Sequence, residues 1–264
     1  MKLRYAALVL CAALPFVSGA NAFDVYDVNI SGIVGGGYAR TTGDIDLLAG
    51  GGAALFSFGK PGFQAQLSAD NKHYSASGVT GDLTSITGDF FWRDGKGAIG
   101  ASVSYHRASA GTSFYGTYYG GSVSAESYGA FGEWYVKRYL SLRVKGGGYS
   151  GDFSGAYGGA GFGIYPWSNL SVNASYNYLS LNGGGNEHQI GANVEYLPMR
   201  SLPLSISVGY TYDKYNGGGS ANTYGIVLKY RFGNPRDDSL TGWDRSGPTQ
   251  WNGALPLWNN ALPL

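Results

Sequence analysis

The chain has 264 residues, of which 45 are Gly, 22 Tyr and only 9 Pro, and 13 % are charged, about half the share of a soluble domain. Scarce charge with abundant aromatic side chains argues against disorder, and a formal net charge of +1, which becomes −1 without Lys2 and Arg4, implies no nucleic-acid partner. Beyond the first residues no apolar run is long enough for a membrane helix, so a helical membrane protein is excluded while a β-barrel is not.

Lys2 and Arg4 precede an apolar run over 5–17, and Ala20-Asn21-Ala22 supplies small residues for a peptidase. Residues 1–22 therefore read as a cleaved secretory signal, with the mature chain starting at Phe23. Cys11, the only cysteine, falls inside that signal, which leaves no thiol for a disulfide, a metal or a nucleophile.

From there the chain reads as strands at 25–39, 45–58, 62–72, 83–93, 98–107, 124–137, 140–149, 156–165, 170–181, 188–197, 204–215 and 223–232. The pattern is clearest near the end. Leu204, Ile206, Val208, Tyr210 and Tyr212, then Tyr224, Ile226, Leu228, Tyr230 and Phe232, alternate with Ser205, Ser207, Thr211, Asp213, Lys229 and Arg231, a period of two. Phe63 and Leu67, Ile99 and Val103, and Val172 and Tyr176 carry the same apolar stripe, with Gln64, Gln66, Ser102, Ser104, Ser171 and Asn177 as their polar partners.

Segments of this length, apolar on one face and polar on the other, with aromatic residues at the stripe ends, predict an all-β fold. The expected form is a closed antiparallel transmembrane β-barrel of about twelve strands. Pro61, Pro166, Pro198 and Pro203 fall in the gaps, where no ladder donor is lost. Short gaps alternate with longer Gly- and Ser-rich ones at 71–82, 108–123, 150–155 and 216–222. By the usual arrangement, short turns face the periplasm and long loops the exterior, which puts both termini in the periplasm.

On these features the chain resembles the porin-like bacterial outer-membrane β-barrel proteins over 23–232. Its sharpest local element is Tyr224-Gly-Ile-Val-Leu-Lys-Tyr-Arg-Phe232, similar to the closing strand of that family. The resemblance implies residence in the outer membrane among its lipids, and assembly machinery that reads Tyr230 and Phe232. One departure stands out: in that family the signal aromatic is usually the last residue, whereas here 233–264 follow.

The expected lumen charges are Asp70, Asp89, Arg93, Glu133, Lys137, Arg143, Lys145, Glu195, Asp213, Lys229 and Arg231. They either pair off to fill the interior or line a water path and set its selectivity. Glycine runs such as Gly158-Gly159-Ala160-Gly161 lack the helix start and Lys-Ser/Thr of a phosphate loop, so they read as strand flexibility. No His, Asp or Glu spacing resembles a metal site, and no cofactor is expected.

His73 and Ser75 share a face with Asp82, and their spacing resembles the His-x-Ser of outer-membrane lipid acyl hydrolases, although Ala76 replaces the Asn that often follows. That gives the catalytic alternative. An adhesin binding through 114–119 is another. The leading reading is a non-enzymatic barrel: a passive channel for small hydrophilic solutes, or a structural envelope protein.

After Phe232 the composition shifts to Asn, Pro, Asp and Trp. The chain closes on a near repeat, Trp251-Asn-Gly-Ala-Leu-Pro-Leu and Trp258-Asn-Asn-Ala-Leu-Pro-Leu264. Residues 233–264 read as a periplasmic tail whose Pro235, Pro248, Pro256 and Pro263 prevent continuous helix or strand. The tail is either disordered, docked on a periplasmic partner, or folded back under the barrel.

Overall fold

A computed structural model describes residues 28–58, 62–114, 117–199, 202–216, 218–233 and 239–251; the signal read at 1–22 lies outside them. Twelve strands follow in order: β1 (Val28–Thr41), β2 (Ile45–Phe58), β3 (Gly62–Ala76), β4 (Val79–Arg93), β5 (Gly97–Phe114), β6 (Thr117–Lys137), β7 (Leu140–Gly151), β8 (Gly155–Trp167), β9 (Leu170–Leu181), β10 (Asn186–Tyr196), β11 (Leu204–Tyr215) and β12 (Gly219–Phe232). A short helix, α1 (Leu240–Ser246), comes after them. Each strand pairs antiparallel with its sequence neighbours, and β1 pairs with β12 from Gly32↔Phe232 to Thr41↔Thr223, so the sheet closes on itself. Closure removes the unpaired edges that an open sheet would present to lipid.

Burial along the strands is inverted relative to a soluble protein. Val103 is 67 % exposed, whereas Ser102 and Ser104 on either side are 2 % and 3 % exposed. Leu204, Ile206, Val208, Tyr224, Ile226, Leu228 and Tyr230 all face outward, with Ser205, Ser207, Thr211, Lys229 and Arg231 buried between them. Exposed aromatics form two girdles around this band. Phe58, Phe63, Trp92, Trp134, Tyr196 and Tyr230 lie toward one end, and Tyr38, Tyr105, Tyr128, Tyr176 and Tyr224 toward the other. This is the exterior of a bilayer-spanning barrel.

Three details differ from the sequence reading. The stretches read as loops at 71–82 and 108–123 are paired strand. β3 and β4 are joined by Ser77-Gly78 with φ of 41° and 86°, the two positive values that a primed two-residue hairpin turn requires. β5 and β6, 18 and 21 residues long, stay in register to Phe114↔Thr117 and so project well past the roughly ten residues that a bilayer requires. Outside lipid both faces of a strand are wet, so the alternation that marks it disappears even though the backbone ladder continues.

Second, Pro166 lies within β8, at the register shift between Ile164 and Trp167, where the bulge removes the demand for its missing N–H. Third, a similar shift between Trp134 and Lys137 precedes Lys137, which is exposed at the rim and not inside the bore.

The start of β1 and the end of β12 lie at the same end of the barrel as the turns after β4, β6 and β8. At that end Gly233 has φ +107°, and a Cβ there would come 2.5 Å from Ser31 Cα. Only glycine fits so sharp a reversal so close to the first strand. Further on, α1 fits between Pro235 and Pro248. The Ser239 side chain caps it by accepting from Gly242 N (2.9 Å), and Gly247 N donates to Trp243 O (2.7 Å).

Candidate functional site

The inward faces of the strands bring charged side chains together at the short-turn end of the bore. Glu195 on β10 is their centre. It is 2 % exposed and accepts from Arg231 Nη2 at 2.6 Å, Lys229 Nζ at 3.1 Å and the Ser205 hydroxyl. Arg231 Nη1 also donates to Ser205 Oγ at 2.7 Å. One carboxylate between two cations leaves an excess of positive charge on this wall.

The opposite wall carries Glu133 on β6. It accepts from the Tyr135 hydroxyl at 3.2 Å and has Arg143 Nε at 3.9 Å. Arg143 in turn donates to Asn173 Oδ1 at 3.0 Å and to the Tyr165 hydroxyl at 3.3 Å. Arg93 stacks over Phe91, 4.9 Å from the ring centre.

Residues 239–251 occupy the space between these walls. Leu240 N donates to Ser168 O in the β8–β9 turn (2.8 Å), and Arg245 Nη2 donates to Lys137 O and Leu140 O at 2.7 and 3.2 Å. Asp244 accepts from the Tyr165 hydroxyl at 3.0 Å and lies 3.7 Å from Arg231; burial raises its carboxyl pKa while Arg231 opposes the shift. Arg93 Nη1 donates to Gly247 O at 2.7 Å. The Gln66 amide makes two bonds to the Thr249 backbone, at 2.9 and 2.8 Å.

Further along, the Thr249 hydroxyl donates to Glu133 (2.8 Å), Lys229 donates to Gln250 Oε1 (2.8 Å), and Lys145 sits 5.0 Å above the Trp251 ring. Leu240, Trp243 and Trp251 are buried. Beside Glu133, Arg143, Asn193, Glu195 and Asp244 lies a cavity of about 60 Å³, space for about four waters.

The other acidic residues read as lumen charges lie further from this end. Asp70 pairs with Lys72 at 3.2 Å, Asp89 accepts from Ser102, and Asp213 accepts from Gln189 at 2.9 Å. His106 is held between the Ser85 and Ser127 hydroxyls, each at 3.0 Å.

On the outer wall His73 Nδ1 and Asp82 Oδ1 are 3.0 Å apart and half exposed, but among the described residues no hydrogen bond joins Ser75 to His73. That supplies a base and its orienting carboxylate without an engaged nucleophile. Of the loop read as an adhesive surface, Tyr115 and Gly116 lie outside the described residues. Among the described residues, no group of three or more His, Cys, Asp and Glu is suited to a metal ion.

Tyr230, one of the two terminal aromatics, is exposed. The Phe232 ring covers Gly32, where a Cβ would meet it at 2.1 Å.

The strand and lumen charges were readable from alternation. Asp244, Thr249 and Gln250 were not, since they sit in a segment without periodicity whose only mark is the change of composition after Phe232.

No family model matches the chain, and no curated protein sequence matches it. Solved structures do. The KdgM porin superposes with a TM-score of 0.54 at 11 % identity, covering 76 % of this chain and 99 % of that one. An outer-membrane channel from Pseudomonas putida F1 gives 0.53 at 11 % identity, covering 80 % and 97 %. The chain has the fold of the porin-like outer-membrane β-barrels. At such low identity the comparison with this porin-like barrel carries the fold and no individual residue.

Proposed function

We propose that the chain is a passive, porin-like channel of the bacterial outer membrane for small hydrophilic solutes. The observation that carries this reading is the two-sidedness of a closed barrel, with an apolar, aromatic-belted exterior and a bore lined by Arg93, Glu133, Arg143, Lys145, Glu195, Lys229 and Arg231. Lipid accepts the first surface, and water, ions and polar groups suit the second. The named channel function of the structures it superposes on points the same way.

No bond-breaking chemistry is required by this reading. Selectivity would follow from the balance of fixed charge along the path. Purified protein in a planar bilayer tests it, with discrete, salt-dependent current steps as the expected result. A heat-modifiable barrel that never conducts, even with its C-terminal segment removed, would leave only the structural envelope role.

A further inference from the structure

We infer that residues 239–251 form a displaceable plug that holds the bore closed at its short-turn end, so that the channel opens when this segment leaves. The inference rests on the channel reading above and adds its regulation. Three observations carry it.

The first is that the segment crosses the bore from wall to wall. Thr249 is bound to Glu133 on β6 while its neighbour Gln250 is bound to Lys229 on β12, and these two strands are six places apart in a ring of twelve, hence diametrically opposed. Contacts to Gln66 on β3, Arg93 on β4 and Tyr165 on β8 complete the circuit. Among the described residues, the cavity beside it measures about 60 Å³, room for a few waters.

The second is that the wall does not depend on the plug. The ladder closes through β1 and β12 and ends at Gly32↔Phe232, before the segment begins. Most of the charged wall groups that touch the plug have another partner in the wall. Lys229 and Arg231 keep Glu195, Arg231 also keeps Ser205, and Glu133 keeps Tyr135 and Arg143. Withdrawal therefore leaves these charges still paired in a bore that water can enter, which avoids the cost of an uncompensated buried ion. The segment adds one carboxylate, Asp244, at 3.7 Å from Arg231, which holds Glu195 at 2.6 Å without it.

The third is the tether. Gly233 follows the last paired residue at φ +107°, and only five residues separate it from Ser239, so the segment is tethered at the rim of the mouth it fills. Tethering keeps its effective concentration high and makes reclosure fast.

The test compares three proteins, each first shown to be folded by heat-modifiable migration: the full chain, the chain ending at Gly233, and the full chain carrying Gln66→Cys and Thr249→Cys. The cysteine pair is joined by a short bis-methanethiosulfonate linker that reductant cleaves. The expected result is a several-fold larger single-channel conductance after truncation, a silent linked variant, and current that returns when reductant is added. Equal conductance in the full, truncated and linked proteins would overturn the plug while leaving the channel intact. A folded, inserted truncated barrel that carries no current would overturn the channel reading and the plug with it.

Discussion

The two halves of the bore are built differently. At the short-turn end charged side chains, with Leu55, Phe91, Ala98 and Phe131 packed beside them, meet a polypeptide segment through hydrogen bonds to its backbone and short polar side chains. At the other end Asp70 with Lys72, His106 and Asp213 find their partners within the wall itself, and two apolar clusters pack beside them. Ala39, Leu47, Ala49 and Val227 form one buried cluster with Tyr74 against it, and Tyr149, Tyr157 and Leu179 form a second with Phe153. Aromatic side chains there cover bare glycine backbone: the Tyr74 ring lies where a Cβ on Gly81 would stand, and its hydroxyl donates to Ser109 O at 2.9 Å. Packing stiffens one half, whereas charge in the other creates a seat for something polar.

The sharpest way to break this contrast is to remove the centre of the charged half. Glu195→Ala leaves Lys229 and Arg231 buried at 1 % and 2 % exposure without their carboxylate, a loss of about 3–5 kcal/mol when one partner of a buried ion pair is deleted. The measurement is the urea midpoint of the heat-modifiable form, and an unchanged midpoint would mean that water already solvates this site.

In the packed half the matching change is Gly81→Val. Its Cβ would stand 2.2 Å from both the Tyr74 ring and Ser109 O, so ring and backbone have to move, at a cost of about 1–3 kcal/mol. Stability falls, while open-channel conductance, set at the other end, stays near that of the parent.

Lys145→Gln removes one positive charge from the bore beside the Trp251 ring. Reversal potentials in a salt gradient should move toward cation preference with little change in stability, as lumen substitutions do. Smallest of all is the outer wall. His73→Ala and Ser75→Ala should each cost under about 1 kcal/mol, as expected where the contact of His73 with Asp82 is half exposed, and should leave the lipid profile of membranes unchanged. Loss of an acyl-hydrolase activity in either variant would restore the catalytic alternative.

Much of the wall was legible because lipid and water impose opposite demands on alternate residues. The strand ends predicted for β2, β9 and β11 coincide with those in the structure. The β5–β6 extension was missed for the same reason turned around: beyond the membrane Ser, Gly and Thr make the ladder, and nothing distinguishes their two faces. Ser77-Gly78 did carry a turn signal, and a hairpin reading of 71–82 follows from it.

Period-two alternation is thus enough to assign each side chain of the spanning strands to lipid or to lumen, since a one-residue slip would send a charge into hydrocarbon. It also explains why Glu195, Lys229 and Arg231 share a face. No pattern in 239–251 reveals where that segment goes. Its partners Gln66, Arg93, Glu133 and Tyr165 are scattered over four strands far away in sequence, and several of the bonds end on main-chain atoms that every residue possesses. Docking of that kind depends on the shape and charge of a closed bore, which exists only once all twelve strands have met.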